Sequence, residues 1–309
     1  MGKSGSGKTS MRSVIFSNNP ASLTSRFGAT IDFEQNHVRF LGDLILNLWD
    51  CGGQNAFMDS YLTTQRSTIF KDVGVLIYVL DVESRETEKD IHYYNEVLAA
   101  VAKESEGAGV FVLVHKMDLV RGNREVAFDR KKRELLERTK DIPITIFGTS
   151  IYDESLYKAW SRIVHTLIPN AAAFSKHLTT FANACSASEV IMFERTTFLV
   201  VATSKVQSSA VPVPPPAAEP SDLSLTMDDK RYERTSEIIK EFKYSCSRLR
   251  EEFHSLELEL PEFTAVLDEL TKNTYILVVV HDPTIETAAI QMNIRLIRDK
   301  FEELQADTS

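Results

Sequence analysis

The sequence is poor in cysteine. Its three, Cys51, Cys185 and Cys246, lie far apart in 309 residues, with no Cys-x-x-Cys pair and no Cys/His ligand spacing. Neither a disulfide framework nor a zinc site is supported, and a reducing, cytoplasmic compartment fits best. No apolar run reaches the ~18 residues of a membrane span, and the start lacks a positive-then-apolar leader. Any membrane contact is therefore expected through partners. Positive charge is also short: 35 Lys and Arg against 44 Asp and Glu give a formal net charge of -9. Without clustered cations there is no general pull toward nucleic acid or anionic lipid, so no nucleic-acid partner is expected. No internal repeat is present.

What the sequence does contain is alternation. From residue 37 to 150, short apolar runs (HVRFLG, LILNLWD, VGVLIYVLDV, VFVLVHKMD, PITIFGTS) are separated by segments with apolar residues at helical spacing. This rhythm predicts a doubly wound, mainly parallel sheet with helices on both faces. After residue 175 the pattern changes to a helix at HLTTFANACSA, strands EVIMFE and TFLVVATS, and a long amphipathic helix. Its expected stripe is Ile238, Ile239, Phe242, Cys246, Leu249 and Phe253. Strands FTAVLDEL and TYILVVVHD and a closing helix from about Ile285 to Leu304 follow, predicting a second α/β domain with an antiparallel sheet. The stretch SSAVPVPPPAAEPSDLS holds five of the ten prolines and reads as a solvated excursion.

Four motifs carry chemistry. Gly2-Lys3-Ser4-Gly5-Ser6-Gly7-Lys8-Thr9 satisfies G-x-x-x-x-G-K-[ST], with Ser10 entering the following helix. Glycines let backbone amides turn onto phosphates, Lys8 supplies a cation at the β/γ oxygens, and the Thr9 hydroxyl can ligate Mg2+. In LILNLWDCGGQ, Asp50 ends a strand and can hold a metal-bound water, Gly53 can offer its amide to a γ-phosphate, and Gln54 can orient an attacking water. In VLVHKMD, Asp118 can accept from the N1 and 2-amino groups of guanine while the Lys116 stem lies along the ring. In GTSI, the amide of Ser150 or Ile151 can meet the guanine oxygen. Thr30, in RFGATIDFE, can reach the metal and the γ-phosphate only when the third phosphate is present, which makes its segment a switch.

Plainer readings exist for each residue. Asp50 and Asp118 can be strand-end turn residues, Cys51 a packing residue, Trp49 and Trp160 core, and Arg26 and Arg66 solvated side chains and no arginine finger. MGKSGS also matches an N-myristoylation signal. Four motifs in order, each downstream one after a strand, favour the phosphate cradle over these.

These residues resemble the Ras-like small GTPases, and MGKSGSGKTSMRS, GATIDFE, LNLWDCGGQ, YLTTQRSTIF, LVHKMDLV and TSIYDESLYKAWS resemble the Rag GTPases of the A/B (Gtr1-like) type. FERTTFLVV, FKYSCSRL and NTYILVVVHDP are similar to that family's roadblock domain. The resemblance implies a GTP-binding Ras-like domain at 1–170 and a roadblock-type dimerisation domain at 176–305 with a Pro-rich insertion at about 205–227. It carries GTP/GDP and Mg2+ onto Lys8, Thr9, Thr30, Asp50, Gly53, Gln54, His115, Lys116, Asp118 and Ser150, with Gln54 and Lys8 as catalytic residues. It implies a C/D-type Rag partner and a switch that reports amino-acid sufficiency to the target-of-rapamycin complex through that complex's scaffolding subunit. A lipidated anchoring complex at the lysosome or vacuole and a GTPase-activating complex complete the implied partners. His115 replaces the asparagine common in Ras-like proteins, as the Rag branch does. The family's phosphate loop follows an apolar strand, and here Met1 alone precedes it, so Met1 is expected to correspond to an internal methionine. The rival reading is a roadblock-type scaffold whose truncated nucleotide domain does not turn over. A small-molecule kinase on the same loop is disfavoured by Asp118 and Gln54.

Overall fold

Buried, β-branched runs become strands and the amphipathic segments between them become helices. The computed structural model describes residues 1–139, 142–205, 231–248 and 253–306. Apart from Lys205, the Pro-rich segment lies outside the described residues, as does Leu249. The chain divides into two units, Met1–Phe40 with Leu44–Leu167, and Leu41–Asp43 with Ile168–Ser309.

The first unit runs α1 (Lys8–Phe16), β1 (Phe33–Leu41), β2 (Leu44–Cys51), α2 (Asn55–Leu62), α3 (Arg66–Ile69), β3 (Val75–Asp81), α4 (Thr87–Glu104), β4 (Gly109–His115), α5 (Arg124–Arg138), β5 (Ile144–Thr149) and α6 (Ser155–His165). β3, β4 and β5 pair in parallel in that order, and parallel neighbours need the crossovers that α4 and α5 supply. β4 is buried from Val110 to His115, as a central strand covered on both faces should be. On one face, Leu76, Tyr78 and Leu80 share a core with Ile91, Tyr94, Leu98 and Val101 of α4. That helix presents them at the three-to-four spacing of a single stripe. α5 starts where the Asn123 side chain accepts the Val126 N–H, a standard N-cap.

The strands of the first unit fall into two sheets. β1 and β2 form their own two-stranded ladder, separate from β3-β4-β5. A cavity of about 650 Å3 runs along β2 and the start of β3, with Leu46, Trp49, Val75, Ile77, Trp160 and Val164 among its walls. Met1 reaches into this space: its amino group donates to the Ile77 carbonyl at 2.7 Å and its carbonyl accepts the Val79 N–H at 2.9 Å. Bonds to two residues flanking one position are those of a parallel ladder. The cavity also corrects the assignment of Trp49 to the core. Its side chain stacks on Phe33 but is 36% exposed, whereas Trp160 is buried as expected.

The second unit runs α7 (Ala171–Ala184), β6 (Glu189–Glu194), β7 (Val200–Thr203), α8 (Arg231–Arg248), β8 (Leu256–Glu259), β9 (Thr264–Thr271), β10 (Thr274–Val280) and α9 (Thr287–Ala306). The sheet is antiparallel, in the order β7-β6-β10-β9-β8. Central β10, TYILVVV, is buried at every position. Alternation then splits the residues between two layers. Ile191, Phe193, Leu267, Tyr275 and Leu277 cluster with Ile239 of α8 and with Phe253, while Phe174 of α7 stacks on Phe301 of α9.

The α8 stripe differs from expectation. Ile239 is 2% exposed, but Ile238 is 63% and Phe242 43% exposed. Ile239 packs against the sheet while Ile238, a hundred degrees around the helix, faces outward. Phe253 lies beyond the end of α8, its ring tilted at 72° to that of Phe242. The sequence reading also missed β8, an edge strand of alternating Leu and Glu with three of four residues exposed.

Candidate functional site

α1 begins at Lys8, and Gly7 before it takes φ 97 with no side chain capping the helix. An uncapped helix start offers backbone donors and a positive dipole end to an anion. Lys8 Nζ donates to the Gly2 and Lys3 carbonyls at 2.7 and 2.9 Å, folding the loop around the ammonium. Burial lowers the Lys8 pKa to about 8, against the opposing pull of Asp50 and Cys51. The Ser6 hydroxyl is buried without a hydrogen-bond partner. Gly53 packs directly on the loop: its carbonyl accepts the Ser4 N–H at 2.9 Å, and a Cβ would sit 2.3 Å from the Gly2 oxygen. No residue with a side chain fits there.

Thr30 closes onto the start of α1, its hydroxyl 2.8 Å from that of Thr9. Two residues on, the Asp32 carbonyl accepts the Gly52 N–H at 2.5 Å and the Tyr61 hydroxyl at 2.6 Å. The segment around Thr30 is thus tied to α1, to the loop after β2 and to α2. Asp50 ends β2 nearby, buried, with neither carboxylate oxygen hydrogen-bonded. The two hydroxyls, 2.8 Å apart, and the Asp50 carboxylate, ion-paired with Arg12 at 3.3 Å but without a hydrogen bond, are all oxygen donors, the kind that suits a hard cation such as Mg2+. Cys51 is buried beside them, and burial pushes its thiol pKa up, in keeping with a packing role.

Asp118 follows β4. Its Oδ1 accepts the Ser150 hydroxyl at 2.6 Å, which fixes the carboxylate. Lys116 adopts φ 63, and its Nζ reaches Asp81 at 2.7 Å. The Ser150 amide is already used, donating to Ser155 Oγ at 3.0 Å, so of the two amides considered for the guanine oxygen only that of Ile151 remains a candidate.

A cavity of about 430 Å3 joins these parts. Of the residues read from the sequence it is lined by Ser4, Gly5, Gly7, Lys8, Thr9, Ser10, Thr30, Gly53, His115, Lys116, Asp118 and Ile151. Gly2, Lys3, Ser6, Gln54 and Ser150 are not among its lining residues, and Asp50 lines the larger cavity beside β2 instead. Gln54 occupies the position before α2, its Oε1 buried and without a partner. The sequence reading missed Thr24, Ser25, Phe27 and Tyr152, which also line the cavity. Thr24 and Ser25 lie in a short 3-10 helix, Ala21–Arg26, and Phe27 and Tyr152 in connecting segments, all too short to carry a periodic signal. Arg66 is paired with Glu104 at 3.1 Å, away from the cavity.

His115 explains how a histidine serves at this position. Its Nδ1 shares a hydrogen bond with Thr149 Oγ1 at 2.9 Å, and its Cδ2–Nε2 edge lies so close to Gly7 that a Cβ there would meet it at 2.6 Å. The ring therefore ties the base end to the phosphate loop. Burial, then the Lys116 charge, lowers its pKa to about 4 from 6.5. Between those values the unfolded chain binds more protons than the folded one, so stability falls as the pH drops from 6.5 to about 4, and His115 adds no further loss below that. The shift corresponds to about 3 kcal/mol. Denaturation midpoints across this range should show His115→Asn losing that share of the pH dependence; an unchanged profile would mean the imidazole is not held neutral.

Among the described residues, no helix is long and apolar enough to cross a membrane. A family model described as the Gtr1/RagA G protein conserved region matches residues 1–239. GTP-binding protein gtr1 of Schizosaccharomyces pombe is 51% identical over 299 residues, 96% of this chain and 92% of that one. Ras-related GTP-binding protein A of Dictyostelium discoideum is 46% identical over 310 residues, 100% and 97% of the two chains. Ras-related GTP-binding protein C of Homo sapiens is more distant, 25% identical over 212 residues, 66% of this chain and 52% of that one. The chain belongs to the Gtr1/RagA family of G proteins.

Proposed function

We propose that this chain is a guanine-nucleotide switch that hydrolyses GTP slowly and works as one half of a heterodimer with a C/D-type Rag GTPase. One observation carries the reading above others: Asp118, its carboxylate fixed by Ser150, lines the same cavity as Lys8 and Thr9. Two donors on guanine match a carboxylate, and adenine lacks them, which would leave that carboxylate unpaired. Residues 1–170 then hold the nucleotide, and the unit at 176–305, read as a roadblock-type domain, supplies the pairing surface.

The Thr9 and Thr30 hydroxyls with Asp50 would hold Mg2+, which when bound supplies charge neutralisation at the phosphates. Lys8 keeps an ammonium at the β/γ oxygens, Gln54 orients the attacking water, and Thr30 reports the third phosphate. Similarity to relatives of both the A and C types supports the pairing. Within it the switch reports amino-acid sufficiency to the target-of-rapamycin complex through its scaffolding subunit. A lipidated anchoring complex holds the pair on the lysosome or vacuole, and a GTPase-activating complex resets it.

The test is single-turnover hydrolysis by the chain purified with a C/D-type partner, with and without activator. Gln54→Leu should lower the activated rate by about a hundredfold or more while GTP retention is unchanged. Bound nucleotide that never turns over in the parent chain, even with activator, would instead support the scaffold reading.

A further inference from the structure

Arg12 was not singled out by any motif, yet it occupies a central place. It lies three residues after Thr9 on α1, so the two share a helix face. Its guanidinium spans two carboxylates on different strands: Nη2 donates to Glu34 Oε2 at 2.7 Å and Nε lies 3.3 Å from Asp50 Oδ2. The Asp50 side chain is 4% exposed and that of Glu34 51%. Lys8 is close enough to feel Asp50, but its Nζ is committed to the Gly2 and Lys3 carbonyls. Among the described residues, Arg12 is therefore the cation at ion-pair distance from Asp50.

We propose that Arg12 is a positioning residue for the metal-site carboxylate, tying Asp50 to Glu34 on the strand that follows Thr30. The proposal rests on the nucleotide-switch reading and gives it a route of regulation. α1 is joined to the stretch from Thr30 to Glu34 twice, through Thr9–Thr30 and one turn later through Arg12–Glu34. When the Thr30 segment moves, the outer carboxylate is pulled from the guanidinium, and the partner that fixes Asp50 moves with it. Mg2+ retention thereby becomes sensitive to the switch segment, although Arg12 is not among the residues lining the nucleotide cavity.

Groups that orient a metal ligand typically change metal affinity by about 10- to 100-fold when removed. The measurement is release of a fluorescent GDP from the full chain with its C/D-type partner, titrated with Mg2+ after chelation. Arg12→Met should raise the Mg2+ concentration for half-maximal slowing by about tenfold or more, with little change in the metal-free rate. Arg12→Lys, a point charge unable to bridge both carboxylates, should fall between parent and Arg12→Met. Glu34→Gln, on an exposed side chain, should shift the midpoint by a few-fold. A folded Arg12→Met protein with the parent midpoint, or a lower one, overturns the proposal. If Arg12→Met does not fold, parent-like midpoints in both Arg12→Lys and Glu34→Gln overturn it. A parent chain that retains no GDP, or whose release ignores Mg2+, overturns the underlying nucleotide reading as well.

Discussion

Fusing an apolar segment of about six residues ahead of Met1 is expected to raise the melting temperature of the first unit by about ten degrees or more. Three features of the structure add up to this effect. Met1 already makes the two bonds of a parallel ladder with β3, so a preceding residue would continue in register toward Val75. The cavity of about 650 Å3 beside β2 and β3, with polar groups such as Arg12 and Asp50 also in its walls, has apolar side chains along the strands, including Leu46, Val75 and Ile77. Each one filled against new apolar surface contributes about 1.5 to 3 kcal/mol, before the entropy of ordering the segment is subtracted. Finally, the Met1 amino group is buried, and burial lowers its pKa. Replacing an ammonium by a peptide N–H removes that desolvation cost.

A Gly/Ser leader of the same length separates these contributions, because it removes the buried ammonium without filling the cavity. The apolar leader should exceed the Gly/Ser leader by several kcal/mol in denaturant titrations. Equal gains from the two would show that the space between β2 and β3 does not accept a strand. GDP should also leave more slowly from the apolar fusion, since the phosphate loop begins at the residue after Met1.

Asp118→Asn is expected to weaken GDP binding by about a thousandfold and to confer binding of xanthosine diphosphate. The carboxylate presents two acceptors to two guanine donors. An amide in its place presents one donor and one acceptor, so the guanine 2-amino group faces an N–H. Xanthine has a carbonyl at that position and restores the pairing. The Ser150 hydroxyl, 2.6 Å from Asp118 Oδ1, fixes the orientation, and Ser150→Ala should give a smaller loss in the same assay. If Asp118→Asn leaves GDP affinity unchanged, the base does not lie against this carboxylate.

Much of the site was legible because its chemistry is local in sequence. A phosphate loop is eight consecutive residues, and Asp50 and Asp118 each announce themselves as an acid at the end of an apolar run. What the sequence hid is what packs across elements. Arg12 sits in an ordinary helical stretch, and only the return of β1 and β2 brings Glu34 and Asp50 to its two ends. His115 carries no local sign that its ring will lie against Gly7, over a hundred residues away. Trp49 reads as core because aromatic residues on strands usually are, yet its side chain lines the cavity beside β2 and is 36% exposed. On α8 the composition was right and the phase was not, since an Ile-Ile pair satisfies more than one choice of stripe. β8 alternates Leu with Glu over only four residues, too short for periodicity to distinguish from a loop.

The central claim is that the cavity shared by Lys8, Thr9 and Asp118 selects guanine. Displacement of labelled GDP from the full chain with its C/D-type partner tests it most directly. The account predicts that GTP and GDP displace the label while ATP fails at about a thousandfold higher concentration. Displacement by ATP at the same concentration as GTP would contradict it.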